Sequence, residues 1–230
     1  MLLMPRVRDP ARFSRLVSVA TDVFIERGYR RTQMKDVADA MGVAKGTIYL
    51  YVESKEALFD LAVRAANDDL AEPKKLPVAT PKPGVTIRYV KDALANEARL
   101  PKLEAALGRP CPTDVCAELE GIVRELYALM HQRRVALKLI DRNAAQYPEL
   151  AAIYFAIARQ AIPKLLETYL DARLPRDRRD GVPLTAIARG VVEVIAFWAI
   201  HRHWDPAPTP VQEEASEAAA VRFALGALGR

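Results

Sequence analysis

The sequence predicts an all-α protein: a short helix-turn-helix near the N-terminus, then a larger helical bundle. Three observations predict this. Apolar residues recur at helical spacing along most of the chain, as in Phe13, Leu16, Val17, Ala20 and Phe24. Aromatic residues make up only 7 % of the 230 residues and β-branched runs are few, which disfavours sheet. Glycines and prolines fall where the stripes stop, at Gly28, Gly42 and Pro73. A hydrophobic content of 51 % suffices for a core, and the length allows one large or two small domains.

The first helix opens at Asp9–Pro10, a cap followed by a first-turn proline, and stops at Gly28. Arg6 and Arg8 precede it as a basic arm. From Thr32 to Lys55 the chain reads as two short helices joined by a tight turn, with a further helix beginning. Thr32 is placed to cap the first of them. Val37, Ala38 and Met41 form its apolar stripe, and Gly42 suits a left-handed end. The second is expected from Val43 or Ala44 to Tyr51, with Val43, Ile48 and Tyr51 inward and Lys45, Gly46, Thr47 and Tyr49 outward. Ser54 caps the next helix, whose buried side is Leu58, Phe59, Ala62, Ala66 and Leu70, and which Pro73 ends.

The outward residues suit double-stranded DNA. Lys45 can reach guanine acceptors or a phosphate, and Thr47 a thymine methyl or a phosphate. Gly46 lets the helix lie close to a base edge. The Tyr49 and Tyr51 hydroxyls can bond the backbone. A net charge of +5 agrees with a polyanionic partner. The same spacing also fits any small αα-hairpin with a solvated face.

The stretch Met41–Leu58, M-G-V-A-K-G-T-I-Y-L-Y-V-E-S-K-E-A-L, resembles the DNA-binding domain of TetR-family transcriptional regulators. In that family it reads close to A-G-V-S-x-G-T-[IL]-Y-x-Y-F-x-[SN]-K-E-x-L. The likeness covers about the first quarter of the chain. It implies base and phosphate contacts at Lys45, Gly46, Thr47 and Tyr49, with Thr32 and Lys55 on the DNA backbone; the hydroxyl of Tyr51 is read as a further phosphate contact. Three departures stand out. Ala44 replaces a capping Ser or Thr, Met41 replaces a small turn residue, and Val52 replaces a packing Phe.

The resemblance also implies a division at residue 53. Residues 1–53 would form the helix-turn-helix DNA-binding domain. Residues 54–230 would form a helical effector-binding and dimerisation domain, with the helix from 54 to 71 linking the two. The proline-rich stretch from Glu72 to Gly84 reads as the linker. Beyond it, helices are expected from Val85 to about Pro101, from a Thr113 cap to Met130, from Arg133 to Tyr147, and from Pro148 to Leu170 with a kink at Pro163. After a basic loop, Arg173 to Asp180, come Leu184–Trp204 and a last helix opened by Thr209, Pro210 and Gln212, with Val211, Ala215, Ala218, Val221, Leu225 and Leu228 along it.

One helix-turn-helix reads few base pairs, whereas a two-fold dimer offers two recognition helices about 34–36 Å apart, one DNA turn. The resemblance implies a homodimer through the last long helices. The apolar stripe Leu184, Ile187, Val191, Val194, Ile195, Trp198 and Ala199 suits that face, or the interior of one subunit. The resemblance further implies a small-molecule effector enclosed by the helices, with Tyr127, His131, Tyr154, Phe155 and Trp198 as candidate pocket residues. Together these readings give a repressor released from a palindromic operator. An activator, a ligand-independent regulator, and a helical carrier or enzyme remain as alternatives.

Catalytic signatures are missing from the sequence, and no cofactor is expected. His131, His201 and His203 are the only histidines, and the sequence offers no further ligands at metal-site spacing, so no metal is expected. Cys111 and Cys116 do not make a disulfide framework. The longest apolar stretch, Val191–Ile200, is too short for a membrane span. The expected location is the cytoplasm.

Overall fold

A computed structural model describes residues 10–97, 99–145, 147–174 and 181–226. Asp9, Arg6, Arg8 and most of the basic loop lie outside them. The described residues are helical, without strands. In order they form α1 Pro10–Arg27, α2 Met34–Met41, α3 Lys45–Ile48, α4 Lys55–Ala66, α5 Val85–Glu97, α6 Pro101–Leu107, α7 Val115–Gln132, α8 Arg134–Ala144, α9 Pro148–Ala156, a π-helical turn Ile157–Ala161, α10 Ile162–Arg173, α11 Leu184–Ala199, a 3-10 turn His201–Trp204 and α12 Glu213–Gly226. None of these helices is long and apolar enough to cross a membrane.

The chain divides into two compact units. One comprises residues 1–93 and 139–152, the other 94–138 and 153–230. In the first, α1 packs across α2 and α4. The predicted stripe of α1 is fully engaged: Phe13, Leu16, Val17, Ala20 and Phe24 are all buried. Phe24 meets Phe59 edge-on at 5.2 Å, and Tyr29 lies 4.9 Å from Phe59. The end of α8 closes this core from a distant part of the sequence. Buried Asn143 accepts from the Tyr29 N–H at 2.5 Å and donates to the Leu139 carbonyl at 2.6 Å.

Several boundaries differ from the sequence reading. Thr32 does not cap α2: Gln33 is the cap, and the Asp36 carboxylate accepts from its N–H at 2.7 Å. α3 ends at Ile48, because the next bonds, Leu50 N–H to the Thr47 carbonyl and Tyr51 N–H to the Ile48 carbonyl, tighten to 3-10 spacing. α4 stops at Ala66 rather than 71. There the Asn67 side chain donates to the Val63 carbonyl at 2.8 Å and Asp68 turns left-handed at φ 57°. Asp114, not Thr113, caps α7 by accepting from Ala117 N–H at 2.9 Å.

The stretch 72–84, which reads as a linker, folds back onto the first unit. Val78 N–H donates to the Tyr51 carbonyl at 2.8 Å and Val78 accepts from Glu53 N–H at 3.0 Å. The Thr80 hydroxyl donates to Ser54 Oγ at 2.8 Å. The chain therefore stays with the first unit until residue 93.

In the second unit, α11 packs on α7, α10 and α12. Pro163 does not simply kink one long helix. The wide π-helical turn 157–161 precedes it and separates α9 from α10. In a regular helix the Arg159 carbonyl would accept from residue 163, which has no N–H. Arg189 of α11 takes that carbonyl instead, at 2.7 Å. α11 ends at Ala199, five residues before Trp204. α12 buries Ser216, Ala220, Val221 and Ala224, whereas Ala215 and Ala218 are exposed. These small side chains let α12 lie close on α7 and α11.

Candidate functional site

The helix-turn-helix surface is built on the rigid turn between α2 and α3. Gly42 adopts φ 69° and ψ 36°, its N–H bonding the Asp39 carbonyl while Val43 N–H reaches Ala38, both at 3.0 Å. This pattern closes a helix and fixes where the next begins. Ala44 takes the cap position of α3 without a side-chain bond. Buried Ile48 anchors α3 from beneath. Its outward side carries Lys45 and Gly46, both exposed, half-buried Thr47, and Tyr49, which is 42 % exposed. Among the described residues no ion pair or side-chain hydrogen bond engages Lys45 or Tyr49. Exposed Leu50 continues the surface, a residue the sequence reading left out.

Three residues expected on the DNA backbone face inward instead. Thr32 is 2 % exposed, and its hydroxyl donates to the Gly28 carbonyl at 2.8 Å. The Tyr51 ring is buried 6.4 Å from Phe13. The Lys55 ammonium donates to the Tyr29 and Thr32 carbonyls at 3.0 and 3.1 Å and lies 4.4 Å from the centre of the Tyr29 ring. Tyr29 itself donates to Glu56 at 2.9 Å. Burial, reinforced by Glu56, pushes the Tyr29 hydroxyl above its ordinary pKa. These groups clamp the end of α1 to the start of α4.

The second unit brings together two of the five pocket candidates. Tyr127 is buried, its ring stacked 6.2 Å from His131 at 8°, and its hydroxyl donates to Glu213 Oε1 at 2.5 Å. His131 Nδ1 lies 3.1 Å from the same oxygen. It is off the line a hydrogen bond requires, so this buried nitrogen has no hydrogen-bond partner. Arg202 pairs with Glu213 Oε2 and also donates to the Trp198 carbonyl at 2.9 Å. The His203 ring faces His131 at 5.6 Å. Partial desolvation, then Arg202 and Arg134, hold the His203 pKa below its ordinary value. Burial works to raise Glu213, but Tyr127, His131 and Arg202 outweigh it and leave the carboxyl below the usual range.

The other pocket candidates are placed differently. Tyr154 is buried beside Phe155, which is exposed, and half-buried Trp198 meets exposed Phe197 edge-on at 5.3 Å. Cys111 and Cys116 are free thiols. Glu213 and Arg202 were missed in the sequence. They lie 82 and 71 positions beyond His131, and no spacing signal joins them.

α2 and α3 thus form a helix-turn-helix with an exposed cationic and aromatic face. Residues 16–62 match the family described as bacterial regulatory proteins, tetR family. Over these residues the chain is similar to that family's DNA-binding region. The HTH-type transcriptional repressor KstR2 of Rhodococcus jostii is 41 % identical over 59 residues, which is 26 % of this chain and 29 % of that one. The chain thus spans under a third of that relative's length. The solved ketosteroid transcriptional regulator KstR2 of Mycobacterium tuberculosis is similar in fold over 95 % of both chains, at 18 % identity and a TM-score of 0.53. So is AibR in complex with isovaleryl coenzyme A and operator DNA, over 91 % of this chain and 96 % of that one, at 16 % identity and a TM-score of 0.50.

Proposed function

We propose that this chain is a sequence-specific DNA-binding transcriptional regulator, a homodimeric repressor released from a palindromic operator by a small-molecule effector. The observation that carries the reading is the outward side of α3, with Lys45, Gly46 and Tyr49 exposed and Thr47 half-buried, beside Thr32 and Lys55, whose polar groups are tied to backbone carbonyls. Lys45, Thr47 and Tyr49 contact bases and phosphates, and Gly46 permits close approach. Thr32, Tyr51 and Lys55 act by positioning that surface. DNA reading is assigned to residues 1–53, with effector binding and dimerisation beyond, and the helix from Lys55 connects the two. The repressor name of the KstR2 relative and the ligand and operator bound to AibR support the reading as a ligand-released DNA-binding regulator.

The effector must bind the DNA-released state more tightly than the DNA-bound one, since only differential affinity shifts a two-state equilibrium. Tyr127 and His131 contribute to the effector site, with Tyr154, Phe155 and Trp198 nearer its rim or core. Exposed Phe155, Phe197 and Phe223 supply apolar surface for the second copy. The protein acts in the cytoplasm, where its operator is, and performs no catalysis.

The test is a selection from random duplexes by the purified chain, with binding of the winners followed against salt. A palindromic consensus and a steep loss of affinity with salt, reflecting counterion release from several phosphates, are expected. A folded protein that enriches nothing would contradict the reading.

A further inference from the structure

We infer that His131, His203 and Glu213 form a binding site for a first-row divalent transition ion such as Zn²⁺. Each offers one donor atom, and the three atoms lie within 4.8 Å of one another. They come from three elements, α7, the 201–204 turn and the first turn of α12. Two imidazoles and a carboxylate suit Zn²⁺, Co²⁺ or Ni²⁺ rather than Mg²⁺ or Ca²⁺, which prefer oxygen donors alone.

The geometry is close to what an ion needs. Tetrahedral bonds of about 2.0–2.1 Å place neighbouring donors roughly 3.3 Å apart. The pair His131 Nδ1 and Glu213 Oε1 is already at 3.1 Å. Exposed His203 is the member free to swing inward. His131 Nδ1 is the buried nitrogen left without a hydrogen-bond partner, which an ion would supply. Around the three, Tyr127 stacks on His131 and bonds Oε1, while Arg202 holds Oε2. Binding through Oε1 alone leaves the Arg202 pair intact. Such outer contacts fix ligand orientation. The guanidinium opposes the incoming charge, so the affinity is moderate.

The inference does not depend on DNA reading and is tested apart from it. Untagged protein is titrated with Co²⁺, followed by its visible absorption, then with Zn²⁺ in competition. One ion per chain is expected, with Zn²⁺ displacing Co²⁺. Because loss of an outer contact alone lowers metal affinity about 10- to 100-fold, Tyr127→Phe should fall in that range and His203→Ala beyond it. His201→Ala, outside the cluster, should bind as the parent does. Matching unfolding midpoints for exposed His203→Ala and its parent keep the comparison valid. No stoichiometric ion, or His203→Ala and His131→Ala variants that bind as tightly as the parent, would overturn the site.

Discussion

Both compact units pair charges, but at different depths: Arg27–Asp36 and Arg64–Asp60 of the first lie nearer the surface than Arg173–Glu118 of the second. In the first, the outward cation Lys45 stands clear of carboxylates, and the inward one, Lys55, is spent on backbone carbonyls. In the second, charges meet each other inside. Arg173 and Glu118 pair at 2.8 Å with both side chains only 4 % exposed, and Arg173 also donates to the Ala106 carbonyl at 2.5 Å. A surface that binds phosphates needs cations without competing anions. A helical unit that must keep one arrangement of long helices gains from buried pairs that fail if misregistered. The difference separates residues that read from residues that hold, and substitutions should divide along the same line.

The largest effect is expected in the second unit. Glu118→Gln leaves the Arg173 charge buried without its partner and should lower unfolding stability by about 3 kcal/mol in urea titration. The pair also sets an acid dependence. Burial works to raise the Glu118 carboxyl, but Arg173 and Arg109 hold it below the ordinary 4.5. The unfolded state therefore takes up the proton first as pH falls. The contribution is complete above about 4.5 and fades below it, and that fading should be weaker in the variant. Retained stability in Glu118→Gln would show that the second unit does not rely on its interior charge.

Lys55→Ala sharpens the comparison within the first unit. It removes two charge-assisted bonds to carbonyls and should cost about 2 kcal/mol in stability. A phosphate ligand at this position would instead leave stability unchanged and reduce the salt slope. Smaller still is Tyr49→Phe. It should leave unfolding unchanged and weaken operator binding by about 1 kcal/mol, roughly fivefold. Lys45→Ala should flatten the salt dependence of log affinity by about one unit.

Much of the first unit was legible because its determinants are local. The α1 stripe, the Gly28 and Gly42 stops and the Ser54 cap each depend on neighbours within a few positions, and each is present. Some errors were local, as at the Thr32 and Thr113 caps, and others came where a distant contact decided the outcome. Nothing around Lys55 announces that its ammonium reaches back to Tyr29 and Thr32. Nothing in the proline-rich run from Glu72 to Gly84 signals that Val78 returns to Val52. The second unit was harder for the same reason. The partners of Tyr127 and His131 are ten residues apart in the region 203–213, and the cluster exists only once α12 has packed on α7.

The most direct test of the reading surface is Gly46→Ala, measured for stability and operator affinity together. A Cβ at Gly46 meets nothing within 4 Å. Removing a helical glycine should keep or raise stability, by up to about 1 kcal/mol. If the outward side of α3 lies against base edges, affinity for the selected operator should fall at least tenfold, about 1.4 kcal/mol. Unchanged affinity in the equally stable variant would contradict the claim that Lys45 to Tyr49 is the DNA-reading surface.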